Sequence, residues 1–382
     1  MRKMGCIIIV ICLLLSAVPV WAAPSGPTVA GKSALLMDAA TGRVLLEQNP
    51  HEKLAPASVT KVMTMLLIME AIDTGKIGWN DNVTASEAAA AKGGSQIFLK
   101  AGETMSVSDM VKSIAVSSAN DCACAMAEHI AGSESAFVDK MNDRARELGM
   151  QDTHFVNCTG LDDGEDAKEH LTSAYDIAVM SRELMKNHPD IKKFTTIWMD
   201  TVRSGAFGLS NTNKLVRFYP GATGLKTGFT SGAGYCLSAT AERDGMGLIA
   251  VVMGCDSSQN RFAACKQLLD YGFANYALVA PELMEGQIPV TLGKAKTVRA
   301  VPAEAPRILV DKAQKNQVQI QTSLEESVPA PVSKGQKLGM LTVKVGEQTI
   351  RQIPLVAEEG VERLTWWDLF LQIFRKVAMA GE

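Results

Sequence analysis

Ser58-Val59-Thr60-Lys61 sets a hydroxyl and an amine three residues apart, a spacing that shares one face of a helix. A serine hydroxyl is a weak nucleophile until a base takes its proton. A lysine can be that base once its ammonium is desolvated or set near another cation. Pro56 precedes the pair, so Ser58 falls at a helix start, where free N–H groups and the positive end of the dipole would stabilise an oxyanion. Taken alone, the same residues read as an N-cap serine and a surface lysine. Ser118-Ala119-Asn120 taken alone is a turn; its chemical reading is a second hydroxyl that relays protons and an amide that holds a substrate carbonyl. Lys226-Thr227-Gly228 taken alone is a glycine-rich strand entry. Its chemical reading is a positive charge, a hydroxyl for a substrate carboxylate and a glycine that admits a substrate backbone.

The three motifs together, in this order and at a helix start, an interhelical turn and a strand, match the set shared by β-lactamases and penicillin-binding proteins. Around them stand the segments 54–64, 117–121 and 224–230, with His154-Phe155-Val156-Asn157 and Gly160-Leu161-Asp162. On these residues the chain resembles the low-molecular-weight penicillin-binding proteins, the D-alanyl-D-alanine carboxypeptidases, over nearly all of its length after the N-terminal segment. The resemblance implies an α/β (α+β) penicillin-binding or serine β-lactamase-like fold, then a small all-β domain and a C-terminal amphipathic helix. It implies that Ser58 is acylated, that Lys61 is its base and that Ser118 and Asn120 line a second wall. Lys226 and Thr227 would meet the substrate carboxylate, with Gly228 beside them, and the N–H groups of Ser58 and Phe229 would form the oxyanion hole. Arg261 is open between a carboxylate partner and a surface salt-bridging arginine. The implied partners are peptidoglycan stem peptides ending in D-Ala-D-Ala, with β-lactams as covalent inhibitors; no metal or cofactor is expected.

Two departures stand out. Proteobacterial members carry Asn-Arg-Asn ahead of the Lys-Thr-Gly strand, whereas this chain has Asn211-Thr212-Asn213, so an arginine contact to the carboxylate is not available there. Cys158 occupies a place where proline or another small residue is expected. Rival functions on the same fold are a β-lactamase, a D,D-endopeptidase and a non-catalytic wall-binding protein. A class A β-lactamase needs a loop glutamate that activates water. Glu165 and Glu169 lie in the 157–173 loop, but neither has the asparagine four residues on that the class A pattern requires. A non-catalytic protein would not need a base beside its serine. A Ser-His-Asp hydrolase or a zinc hydrolase is disfavoured by only 5 histidines, no Gly-x-Ser-x-Gly elbow and no His-Glu-x-x-His.

The elements that must position these residues are legible by period. Residues 33–37 and 42–48 read as a hairpin, and 58–72 as a helix. Two helical stretches in 106–131 break near Ser118, and 134–148 and 174–187 are further helices, the latter opened by Thr172-Ser173. Residues 234–242 and 246–254 are strand-length apolar runs around Arg243-Asp244-Gly245, and 261–277 returns to helix. Beyond Pro281, alternation at 317–321, 341–345 and 348–353 predicts a small β domain with one wet face.

With 382 residues there is room for two domains, and a net charge of -3 without a basic block gives no reason to expect nucleic-acid binding. Arg2 and Lys3, an apolar run from Cys6 to Val20 and the small residues at Ala22-Ala23 read as a signal peptide, so the protein is expected to be exported to the outer face of the cytoplasmic membrane. Cys122, Cys124, Cys158, Cys236, Cys255 and Cys265 read as buried core residues. Trp366-Trp367 and the apolar positions to Val377, with a narrow polar stripe at Thr365, Asp368, Gln372 and Arg375, predict an interfacial helix that binds a membrane surface. The expected domains are therefore a signal peptide at 1–22, a catalytic domain at 23–278, a β domain at 279–357 and an anchor at 358–382.

Overall fold

A computed structural model describes residues 26–279, 286–304 and 306–379; the expected signal peptide lies outside them. Five antiparallel strands form the central sheet, in the spatial order Val44–Gln48, Ser33–Asp38, Met246–Cys255, Gly234–Arg243, Ala222–Thr230. Alternation splits the core in two. Leu35, Met37, Ile249, Val251 and Met253 point to one face, while Ala34, Leu36, Leu248, Ala250 and Val252 point to the other. The first face is covered by the Lys61–Asp73 and Ala174–Asn187 helices and their neighbours, the second by Ser258–Asn275. A strand buried on both faces reads as one continuous apolar run, which is why residues 246–255 carry no polar alternation. Asp244 and Gly245, both at positive φ, turn the chain into this strand.

The interhelical break falls where the sequence places it: one helix spans Val107–Ser117, the next Asn120–Ala131. Ser106 and Ser173 cap their helices by accepting from the N–H groups of Asp109 and Asp176. The Ser58 segment is not the first turn of the long helix but a separate 3-10 turn, Ala57–Thr60, which leads into the Lys61–Asp73 helix. The helix read over 261–277 spans Ser258–Asn275; its predicted end instead forms the strand Tyr276–Val279, paired with Ile308–Asp311.

The second sheet has six strands, with Val318–Leu324, Lys337–Val345 and Gln348–Ala357 at one side and Thr297–Pro302, Gly286–Thr291 and Val328–Pro329 at the other. Its core holds Ile288, Leu338, Val343 and Ile353. Val361 belongs to this core and pairs with Val332, and Arg363 bridges to Gly293. The segment expected to anchor from residue 358 therefore begins inside the β domain, and the terminal helix starts only at Trp366. Thr365 and Asp368 cap that helix reciprocally, since Asp368 Oδ2 accepts from the Thr365 N–H and Thr365 Oγ1 accepts from the Asp368 N–H.

Candidate active site

The turn that carries Ser58 is built against the edge strand Ala222–Thr230. A Cβ on Gly228 would lie 2.6 Å from the Pro56 carbonyl oxygen and 3.1 Å from the Val59 nitrogen, so only glycine lets strand and turn approach this closely. Ala57, the residue before Ser58, has φ +48, a left-handed conformation that is costly for a side chain. Its carbonyl is held by Thr60 Oγ1 at 2.8 Å. Thr60 Oγ1 also lies 2.7 Å from His170 Nε2, while His170 Nδ1 accepts from the Val156 N–H at 3.1 Å. An accepting Nδ1 leaves the proton on Nε2, so neutral His170 donates to Thr60. Burial, with His154 and Lys61 nearby, pulls the His170 pKa down to about 4.

Lys61 is fully buried, and its Nζ is 2.9 Å from Ser58 Oγ and 2.7 Å from the Thr159 carbonyl oxygen. Burial pulls its pKa down to about 7, against the opposing pull of Cys158 and Asp121. Near neutral pH a large fraction of Lys61 is therefore the free amine that a base must be. Desolvation does most of this. Lys226 is itself pulled well below the ordinary lysine value by burial, with Lys61 and Arg261 adding to the effect. Lys226 Nζ donates to the Thr227 carbonyl at 2.9 Å.

Ser118 is the left-handed residue, φ 63 and ψ 29, between two helices. Among the described residues its buried Oγ has no hydrogen-bond partner, and neither does Asn120 Oδ1, although Asn120 Nδ2 donates to the Gly93 carbonyl at 2.7 Å. Buried oxygens without a partner are what a binding site leaves for a ligand. Asp121 then fixes the neighbouring loop by accepting from the N–H groups of Ile97 and Leu99 at 3.1 and 3.0 Å. Thr227 Oγ1 donates to Thr212 Oγ1 at 2.7 Å, so the middle threonine of Asn211-Thr212-Asn213 touches the Lys-Thr-Gly strand. Phe229 is exposed and stacks on Tyr235 at 4.3 Å.

Among the described residues Arg261 makes no salt bridge. It is buried under the edge strand and donates to the Gly228 carbonyl at 2.9 Å, bracing the strand from behind. Glu165 and Glu169 are exposed in a short 3-10 turn of their loop. All six cysteines of the described chain are buried and free. Among the described residues, Glu70, Glu183 and His188 have metal-ligand spacing, but Arg144 already pairs with both glutamates, at 2.8 and 2.9 Å.

A serine within reach of a buried lysine, a second serine at an interhelical break and a lysine-threonine-glycine strand packed on the first serine's turn are the motif set of the penicillin-binding type. The chain belongs to the D-alanyl-D-alanine carboxypeptidase family: residues 21–257 match the family model of that description, and residues 278–363 match the C-terminal domain of penicillin-binding protein 5. It is 44% identical to the D-alanyl-D-alanine carboxypeptidase DacF of Bacillus subtilis (strain 168), over 87% of this chain and 86% of that protein. Penicillin-binding protein 5 from Haemophilus influenzae superposes with a TM-score of 0.74 at 30% identity, covering 89% of this chain and 99% of that one. Penicillin-binding protein D2 from Listeria monocytogenes, in its ampicillin-bound form, superposes with a TM-score of 0.57 at 32% identity, over 65% of this chain and 100% of that one.

Proposed function

We propose that this protein is a serine-type D-alanyl-D-alanine carboxypeptidase that works through an acyl-enzyme on Ser58. The observation that carries the reading is the 2.9 Å contact between Ser58 Oγ and a fully buried lysine amine. Lys61 takes the Ser58 proton as Oγ attacks the carbonyl of the penultimate D-alanine. The N–H groups of Ser58 and Phe229 receive the developing oxyanion. Ser118 passes the proton to the leaving amine, free D-alanine departs, and water then releases the shortened peptide. Asn120 holds the substrate backbone, Lys226 and Thr227 bind its terminal carboxylate, and Gly228 gives the substrate room beside the strand. A β-lactam presents a strained amide at the same place and acylates Ser58.

The setting fits a protein exported to the outer face of the cytoplasmic membrane, whose terminal helix rests on lipid. What supports this is the aromatic face of that helix: Trp366, Trp367 and Phe374 are each at least 63% exposed instead of packed on the β domain. No helix among the described residues is long and apolar enough to cross a membrane, so the contact would be interfacial.

The test is to incubate the protein with a labelled penicillin and map the adduct by mass spectrometry. Label on Ser58, lost in Ser58→Ala together with D-alanine release, is the expected result. Label on another serine, or turnover by the alanine variant, overturns the assignment.

A further inference from the structure

The segment that carries Thr159, the acceptor for Lys61, is pinned at each backbone group from Cys158 N to Gly160 N. The Cys158 carbonyl accepts from Thr64 Oγ1 at 2.6 Å, and Thr64 lies one turn along the helix that Lys61 opens. Asn157 Oδ1 accepts from the N–H groups of Thr159 and Gly160 at 3.1 and 2.6 Å. The Thr159 carbonyl accepts from Lys61 at 2.7 Å. Those pins all come from the loop itself or from the Lys61 helix. The Cys158 N–H is different: it reaches across to Glu134 Oε1 at 3.3 Å, in the first turn of the Glu134–Glu147 helix, and Cys158 Sγ donates to the same oxygen at 3.2 Å. The second carboxylate oxygen takes Lys92 Nζ at 2.6 Å and Cys124 Sγ at 3.7 Å. Glu134 thus ties the loop to a third element. Its charge is matched by Lys92, so its action on the site is through position and not through field.

We propose that Glu134 is a positioning residue for acylation: with Lys92 as counter-ion and the Cys158 and Cys124 thiols as donors, it holds the Cys158–Gly160 segment so that the Thr159 carbonyl keeps Lys61 aimed at Ser58. The proposal rests on the Ser58 and Lys61 roles given above. It also gives the unexpected cysteine at 158 a use, as a small side chain that both fills the core and donates to a half-buried carboxylate. The other groups that face Lys61 electrostatically are Asp121 from the Asn120–Ala131 helix, Lys226 from the edge strand and His170 from its own loop, whereas the hydrogen bonds of Glu134 run to Lys92, Cys124 and Cys158.

The experiment measures the rate of Ser58 acylation by penicillin against pH in the full chain and four variants. Glu134→Ala lets the carbonyl drift. Lys61 then loses both its aim and the acceptor that favours its ammonium, so the rate falls about tenfold or more and the acid limb of the profile moves to lower pH. Glu134→Asp keeps charge and fold but retracts the carboxylate by one carbon, and shows the same shift in smaller measure. Glu134→Gln keeps an acceptor for the Cys158 donors and stays within a few-fold of wild type with the limb unmoved. Cys158→Ala removes the sulfur donor but keeps the Cys158 N–H on Glu134 Oε1, and shifts the limb in smaller measure than Glu134→Ala. A wild-type rate and limb in Glu134→Asp and Glu134→Ala overturns the proposal, and so does a loss of thermal stability with no movement of the limb in either. If Ser58 is never labelled in the wild type, the functional reading fails instead; if Ser58 is labelled but the variants behave as wild type, only the role of Glu134 fails.

Discussion

At the scale of single residues, the site turns on how burial sets two proton affinities. A base acts only when unprotonated, so acylation should rise with pH through an apparent pKa near the value of about 7 that burial gives Lys61. Lys61→Arg keeps the charge but cannot release a proton near neutrality, and acylation should fall by several orders of magnitude across the whole pH range. A pH-rate profile of wild type beside the arginine variant checks both points. Retained rates in arginine would make position 61 an electrostatic partner only. His170 carries the complementary effect on stability. Its folded pKa of about 4 lies below the ordinary histidine value of 6.5, so between those values the unfolded chain binds the proton and the folded chain does not. Stability is therefore lost as pH falls from about 6.5 to about 4, by about 3 kcal/mol over the window. In His170→Gln, which keeps an amide to bridge Thr60 and Val156, denaturation midpoints should lose this part of their acid sensitivity. An equally steep decline in the glutamine variant would assign the acid loss to other groups.

At the scale of elements, the site depends on loops that pass close to each other. Gly160 has φ +82, and a Cβ there would lie 1.8 Å from the Ala57 carbonyl oxygen and 2.7 Å from Thr60 Oγ1. Gly160→Ala should cost about 2–4 kcal/mol from overpacking and a left-handed alanine, and should slow penicillin labelling because the turn before Ser58 must move. Gly75→Ala is the control. Gly75 has φ +71 with nothing within 4 Å of its Cβ, so that change should cost only about 1 kcal/mol and leave labelling alone. Denaturation curves and labelling rates separate the two. These contrasts explain what the sequence disclosed. The three motifs were legible because their chemistry resides in side-chain type and because their contexts agreed with the hydrophobic period. The Thr159 carbonyl was not legible, since a backbone oxygen has no residue signature and threonine there signals nothing. His170 and Glu134 were hidden because their partners lie 110 and 24 residues away. The short pairs Asn82–Thr84 with Thr104–Ser106 and Met199–Val202 with Phe207–Ser210 offer too few residues to show a period. The misplaced end of the Ser258–Asn275 helix has a tertiary cause, because the apolar residues that follow it are drawn into pairing with Ile308–Asp311.

At the scale of the whole molecule, the chemistry and the aromatic helix sit on different bodies. Ser58, Lys61, Ser118 and Lys226 belong to the five-stranded part, whereas the Trp366–Met379 helix follows the last pairings of the six-stranded sheet. Trp366, Trp367, Phe370, Leu371 and Phe374 are all exposed. Each is worth roughly 1.5–3 kcal/mol on full burial, so inserting several of them together would favour a lipid interface. Removing that helix should separate binding from catalysis, provided the cut respects the β domain. A cut at Glu359 would strip Val361 from the core and the Arg363 bridge from Gly293, and would destabilise the sheet for reasons unrelated to lipid. A stop after Leu364, whose N–H still donates to the Leu292 carbonyl, leaves that sheet whole. The shortened protein should lose co-sedimentation with anionic vesicles while it hydrolyses a short D-alanyl-D-alanine peptide within about twofold of the full chain, because no group in the acylation scheme lies beyond Arg261. Retained vesicle binding would place the lipid contact elsewhere in the chain. Lost hydrolysis with the melting temperature unchanged would mean that the helix acts on the active site and not on a membrane.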